Sequence, residues 1–229
     1  MNIIRHIAII PDGNRRWARE KNLLPLEGHR KGAEQMIALA KKIKELQIPV
    51  VSFWAFSTEN WNRTKNEVEG LMILFSLMFK QYFDSIIKNK IRFIHIGRKD
   101  RLNKQILKSI LELEEKSKHF TNHYFVLAMD YGGRDEVIRA INKIQNSQVK
   151  IQNINEENFN QFLDTRDVPY PYPDLIIRTS GEMRTSGFMI WQAAYSEYIF
   201  SKKYFPDFSP QELQLCIDEF LKRQRRFGA

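Results

Sequence analysis

An open α/β fold, a single domain with a central, mostly parallel β-sheet flanked by helices, is predicted by three observations. Short and nearly continuous apolar runs recur along the chain, as strands buried on both faces require. Segments with helical spacing separate them, the alternation that gives crossover connections. Each run also exits into a loop that carries glycine or a small polar residue and at least one arginine. In an open sheet the carboxyl ends of parallel strands share one edge, and ligands bind there.

The strands are expected at about 4–10, 50–56, 91–96, 124–129 and 174–177. Residues 29–46 place Met36, Ile37, Ala40, Ile43 and Leu46 on one helical face, and Pro49 ends the segment. Residues 101–116 set Leu102, Ile106, Ile110 and Leu113 against Lys and Glu, with shorter helices at 134–145 and 155–163. Residues 146–173 are the least regular part and end in Pro169–Pro173, an extended entry to the last expected strand. A final helix opens at Ser209-Pro210-Gln211-Glu212, a Ser cap with Pro at the first helical position. The helix at 68–87 is unusually apolar. It carries Leu71, Met72, Phe75, Met78, Phe79 and Phe83 on one stripe, and Ile73, Leu74 and Leu77 on the side that should be wet. Burial on two sides follows, either as a central core helix or as the wall of an apolar cavity.

The chain has 229 residues, 43% of them hydrophobic and 12% aromatic, enough for one sizeable core. The single cysteine, Cys216, excludes an internal disulfide framework and reads as a small buried hydrophobe. The first residues lack the pattern of a signal peptide, and no window reaches the roughly 18 uninterrupted apolar residues of a membrane span. The expected location is cytoplasmic. The net charge of +9 calls for an anionic partner: nucleic acid, a phosphorylated small molecule or an acidic membrane face. A nucleic-acid-binding domain would interleave aromatics with Lys and Arg on an exposed face. Here the arginines stand at strand ends and the aromatics in apolar stripes, which disfavours nucleic acid.

The strand exits carry the chemistry. They read Asp12-Gly13-Asn14-Arg15-Arg16, then Ser57-Thr58-Glu59-Asn60-Trp61-Asn62-Arg63, then Gly97-Arg98, then Asp130-Tyr131-Gly132-Gly133-Arg134, then Arg178 through Arg184. Pro11-Asp12-Gly13-Asn14 alone is a turn signal. In company with the others it reads as part of a site, because arginines beside glycine-permitted amides bind anions. The number of arginines suggests more than one phosphate. Asp12, Glu59 and Glu182 among them point to proton chemistry or to Mg²⁺ held with phosphate. His29, following Gly28, is a further candidate phosphate contact. Neither a P-loop, a dinucleotide fingerprint nor a zinc spacing is present. A charged site beside a greasy helix suits a substrate with a phosphorylated head and an apolar tail.

The segments HIAIIPDGNRRWA, GHRKGAE, FWAFSTENWNR with Glu67 following, DYGGRDE, DLIIRTSGEMRTSGFMIWQAAYSEYIF and RQRRFG, in this order, resemble the cis-prenyltransferase family and span nearly the whole chain. The aspartate-rich motifs of trans-prenyltransferases are absent from both. The resemblance implies one catalytic domain over 1–229, acting as a homodimer that adds isopentenyl diphosphate to farnesyl diphosphate in cis geometry with Mg²⁺. The implied product is a long-chain polyprenyl diphosphate, C55 undecaprenyl diphosphate in the bacterial members that feed peptidoglycan synthesis. Release of such a product implies brief peripheral contact with the inner face of the membrane. By resemblance Asp12 and Asn60 are catalytic, and Asp12 with Glu197 holds the metal. Gly13, Asn14, Arg15, Arg16, Trp17, His29, Ser57, Thr58, Glu59, Trp61 and Arg63 surround the allylic diphosphate. Arg178, Arg184, Thr185 and Ser186 match the isopentenyl diphosphate site, to which Arg225 reaches across the dimer interface. Leu71, Phe75, Met78 and Leu127 are expected along the tunnel, whose depth would set product length. Five positions depart from the family pattern: Pro11 for methionine, Arg15 for glycine, Pro25 for arginine, Asp130 for asparagine and Met183 for histidine. Arg15 or Lys21 is the expected substitute for the arginine missing at Pro25. A different product length and a non-catalytic scaffold subunit are the alternatives within the family.

Overall fold

The first strand, β1 (His6–Ile10), is buried along its whole length, with Ile7 and Ile9 facing one core and Ala8 and Ile10 the other. The computed structural model describes residues 3–146 and 153–223. In it β1 is followed by α1 (Asn14–Glu20), α2 (Pro25–Glu45), β2 (Val50–Ser57), α3 (Lys65–Lys88), β3 (Ile91–Ile96), α4 (Lys104–Ser117) and β4 (His123–Tyr131). Then come α5 (Gly133–Asn146), α6 (Glu156–Asn160), β5 (Leu175–Arg178), β6 (Glu197–Phe200) and α7 (Pro210–Lys222), with 3₁₀ turns at Thr58–Asn62 and Phe205–Asp207. The six strands form one parallel sheet in the order β3-β4-β2-β1-β5-β6. The chain therefore runs outward from β1 in both directions, and the switch point lies at β1, between β2 and β5.

Helices α2, α3, α4 and α7 cover one face, meeting Ile7, Phe53, Phe93, Phe125 and Leu127. Phe53 and Phe93 each stack on Phe125, with ring centroids 5.6 and 6.2 Å apart. The other face is covered by Phe188, Met189 and Ala193, outside which Ala140 of α5 meets Phe159 and Leu163. Each fully buried side chain of this size contributes about 1.5–3 kcal/mol. Cys216 lies in the first core, and burial pushes its thiol up to about 12.

The expected elements are present with shifted bounds. Pro25 occupies the first turn of α2, so that helix begins four residues earlier than its apolar stripe suggests. Asn14, Arg15 and Arg16, expected in the loop that leaves the first strand, open α1, and β6 follows β5, so the strand at 175–178 is not the last. Ser209 caps α7 as expected, accepting from the Glu212 amide. Burial of α3 on two sides is not observed: Leu74 turns inward at 8% exposure, while Ile73 and Leu77 stay 62% and 58% exposed. Among the described residues α3 is long and apolar enough to cross a membrane by length and composition, yet it packs on α2, α4 and β3 as the side wall of the fold.

Candidate active site

Beyond Ile10 the chain turns sharply at the switch point. The Asp12 amide donates to the Ile10 carbonyl and to Thr179 Oγ1, while that hydroxyl donates to the Asp12 carbonyl at 2.7 Å. The exits of β1 and β5 are thereby joined. Gly13 has φ +99°, and a Cβ there would lie 2.6 Å from the Tyr204 ring, so glycine is required on both counts. Asn14 then starts α1, its Nδ2 donating to the Pro11 carbonyl at 2.9 Å. The spacing Gly28-x-x-x-Gly32 on α2 lets α1 approach closely: a Cβ on Gly28 would lie 2.0 Å from the Asn14 carbonyl oxygen, and one on Gly32 2.3 Å from Asn14 Oδ1.

This turn brings together a first cluster of charges. Arg178, its side chain only 6% exposed, donates from Nη2 to Asp12 Oδ2 at 2.8 Å and from Nη1 to Ser186 Oγ at 2.9 Å and to the Arg184 carbonyl. Arg16 bridges Ser180 Oγ at 2.5 Å, Glu182 at 2.9 Å and Asp12 Oδ1 at 3.4 Å. Glu182 also receives Arg184, and that hydrogen bond, with the charges of Arg184 and Arg16, holds its carboxyl below the usual range.

A second cluster lies across the groove. Glu67 pairs with Arg63 at 3.0 Å and with Arg15 at 3.6 Å. Burial lowers the Arg63 guanidinium against the pull of Glu67. His29 is lowered to about 4 by burial first and then by Arg63 and Arg15, and its buried Nε2 has no partner. At neutral pH it is therefore an uncharged imidazole on the wall of the groove.

The exit of β2 supplies the third component. Asn60 Oδ1 accepts from the Ser57 amide at 3.1 Å in a capping box, which fixes Asn60 and leaves its Nδ2 to donate. Trp61 turns away from the groove and donates to Asp130 Oδ1 at 2.8 Å. Asp130 is fully buried, at φ +52°, and also accepts from Arg101 through both oxygens. A Cβ on Gly132 would lie 2.6 Å from Thr58 Oγ1, so Thr58 supports the loop from behind.

Together these groups line one groove of about 1000 Å³. Its polar end holds Asp12, Gly13, Asn14, Arg15, Arg16, His29, Ser57, Glu59, Asn60, Arg63, Arg178 and Ser186, as the sequence predicts. Its apolar walls come from Leu71, Leu74 and Phe75 of α3, Ala33 and Met36 of α2, and Trp54, Ala55 and Leu23. No wall residue was expected on α2; the signal that could have found it is the shared helical face of Pro25, His29, Gly32, Ala33 and Met36. Of the departures, Pro25 and Arg15 both line the groove, Lys21 lies over the Trp17 ring, and Met183 is 76% exposed away from it. Arg15, unlike Lys21, lines the groove together with Pro25.

Several expected site residues lie elsewhere. Leu127 is in the sheet core, opposite Phe53, and Met78 is not on the groove wall although it shares the stripe of Leu71 and Phe75. Trp17 is buried beneath α1, and Arg184 and Thr185 sit outside the groove, Arg184 turned to Glu182. Glu197 pairs in register with Leu175, which pairs with Ile7, whereas Arg178 pairs with Ile10. Glu197 is therefore at the amino edge of the sheet, bound to Arg223 at 2.8 Å, and cannot share a metal with Asp12 of the same chain. Arg225 lies outside the described residues. Among the described residues no three His, Cys, Asp or Glu side chains gather as a metal cage.

An arginine-rich site at the carboxyl edge, opening onto an aliphatic groove, defines an α/β protein built for anions that carry an apolar chain. Residues 10–228 match the family described as "Putative undecaprenyl diphosphate synthase". An isoprenyl transferase of Aquifex pyrophilus is 45% identical over all of this chain and 97% of its own. The ditrans,polycis-undecaprenyl-diphosphate synthase ((2E,6E)-farnesyl-diphosphate specific) of Micrococcus luteus is 39% identical over 99% of this chain and 92% of its own. Among solved structures, lavandulyl diphosphate synthase of Lavandula x intermedia, in complex with dimethylallyl diphosphate, superposes with a TM-score of 0.94 at 33% identity over 99% of this chain and 98% of that one. A "probable undecaprenyl diphosphate synthase" of Campylobacter jejuni gives 0.83 at 34% identity over both full lengths. The chain belongs to the undecaprenyl diphosphate synthase family of cis-prenyltransferases.

Proposed function

We propose that this protein condenses isopentenyl diphosphate onto farnesyl diphosphate in cis geometry, as one Mg²⁺-dependent catalytic domain, and makes undecaprenyl diphosphate for cell-wall synthesis. The observation that carries this reading is the pairing of two arginine–carboxylate clusters at the head of one groove with an aliphatic wall behind them. Two clusters suit two diphosphates, the Arg15–Arg63–His29 group for the allylic one and the Arg178–Ser186 group for the isopentenyl one. The apolar wall suits the growing chain.

Departure of the allylic diphosphate leaves negative charge that preorganised donors must meet, and a single such donor is typically worth about 10²–10³ in rate. Arg15, Arg63 and the neutral His29 supply donors in a partly dehydrated groove. Holding two substrates head to tail adds proximity. The proton lost from the isopentenyl unit needs an acceptor. Asn60, a neutral amide with Oδ1 already engaged, is no base; its Nδ2 positions a diphosphate oxygen or water that takes the proton. Asp12 is the residue that would hold Mg²⁺. A carboxylate lining the groove among arginines fits that ion, which would take its other ligands from substrate phosphate and water. Bound there, Mg²⁺ would neutralise developing diphosphate charge.

The active form is a homodimer located in the cytoplasm, touching the membrane peripherally. The test is incorporation of radiolabelled isopentenyl diphosphate into butanol-extractable product. Incorporation that requires farnesyl diphosphate and stops with EDTA supports the proposal; indifference to either one removes that part of it.

A further inference from the structure

The outer surface next to the groove is aliphatic. Leu24 and Leu26 at the start of α2 are 75% and 41% exposed, and Ile73 and Leu77 on α3 are 62% and 58% exposed. They form one patch. Both terminal methyls of Leu26 lie 3.6–3.7 Å from where a Gly70 Cβ would be, Ile73 follows Gly70 by three residues, and Leu77 follows Ile73 by four. The patch continues into the groove through Leu23, which lines the groove and is itself 44% exposed, and through Leu74, the inward neighbour of Ile73. Exposed aliphatic surface of this continuity marks an interaction site.

Its chemistry selects the partner. Protein interfaces centre on Trp, Tyr and Arg; this patch has none of them, only leucine and isoleucine. The fringe is basic, with Lys21, Lys65 and Lys80, while Glu69 is paired with Lys65 at 3.8 Å and Glu27 with Arg30 at 2.9 Å; Asp84 stands one turn beyond Lys80. An aliphatic face with basic residues at its border suits the interface of an anionic bilayer. We propose that the Leu24–Leu26–Ile73–Leu77 face docks the protein on an anionic lipid surface, so that the apolar end of the groove opens toward lipid. This rests on the proposed synthesis of a long prenyl product, which has to leave water for a membrane.

The experiment is vesicle flotation of the full chain, comparing phosphatidylglycerol/phosphatidylcholine vesicles with phosphatidylcholine alone. The wild type is expected to float with the anionic vesicles, and the double variant Ile73→Glu/Leu77→Glu to partition about tenfold less. Leu111→Glu, an exposed leucine on α4, should float as the wild type does. Thermal melts confirm that each variant is folded, and Leu24→Glu serves as an independent variant where the double one fails to fold. Addition of the first isopentenyl unit, measured in detergent-free buffer, should be unchanged in every variant. A wild type that ignores both vesicles overturns the proposal, as do variants that float equally. A change of mass on gel filtration in the double variant also overturns it, because the face then joins two copies. Vesicle binding without any condensation would sink the enzymatic reading and leave the surface standing.

Discussion

Replacing Asp12 by alanine removes three acceptor contacts at once: Arg178 Nη2 at 2.8 Å, the Gly13 amide at 2.6 Å and Arg16 Nη2 at 3.4 Å. Arg178 is nearly buried and its Nε already lacks a partner, so its charge would be poorly compensated. Breaking a fully buried pair costs about 3–5 kcal/mol. Asp12 is 30% exposed, water can replace it in part, and Ser186 and the Arg184 carbonyl still hold Arg178, which brings the cost to about 1–3 kcal/mol. For a chain of this size that is a fall in Tm of about 2–12 °C. Asp12→Asn keeps an oxygen for the Gly13 amide and is expected to recover about half of the loss. Turnover should not recover, because the negative charge of Asp12 is what would hold Mg²⁺ at the reacting diphosphate; both variants are expected to fall by at least about 10². Thermal melts and isopentenyl incorporation on the same preparations separate the two roles. An Asp12→Ala protein that melts and turns over as the wild type does would refute the reasoning, and an active Asp12→Asn protein would refute the catalytic half.

Gly28→Ala places a methyl 2.0 Å from the Asn14 carbonyl and should cost about 1–3 kcal/mol, read as a lower melting temperature together with weaker pyrophosphate binding as α1 is displaced. His6, His29 and His95 are each lowered to about 4 by burial, so the unfolded chain binds more protons between pH 4 and 6.5. Stability should fall as pH drops through that window, by up to about 3 kcal/mol per histidine, and urea melts that stay flat from pH 7 to 4 would contradict it. Binding of inorganic pyrophosphate near pH 6 should take up a proton at His29, seen by calorimetry in buffers of different ionisation enthalpy and lost in His29→Gln. Ala33→Phe fills the apolar wall and should shorten the product while leaving the first condensation near the wild-type rate.

The sheet was legible because strands buried on both faces announce themselves as apolar runs, and the site was legible because strand exits in one sheet must converge. What escaped has identifiable causes. Strand β6 sits in FMIWQAAYSEYIF, where helical and extended patterns are equally well supported, and only pairing with β5 decides. Helix α1 has seven residues and begins at a glycine with positive φ, so it reads as loop. The placement of Glu197 depended on strand register, which spacing along the chain does not contain. Met78 and Leu127 matched the apolar pattern but not the side of the wall that faces the groove, since helix rotation and sheet face are set by packing.

The most direct test is the chain length made by the purified protein from farnesyl diphosphate and isopentenyl diphosphate with Mg²⁺, resolved by mass. A ladder of cis-extended intermediates that accumulates at C55 is the predicted result. Absence of any extension would contradict the proposal that the two arginine clusters hold two reacting diphosphates. A ladder ending far short of C55 would keep the chemistry and contradict the proposed product.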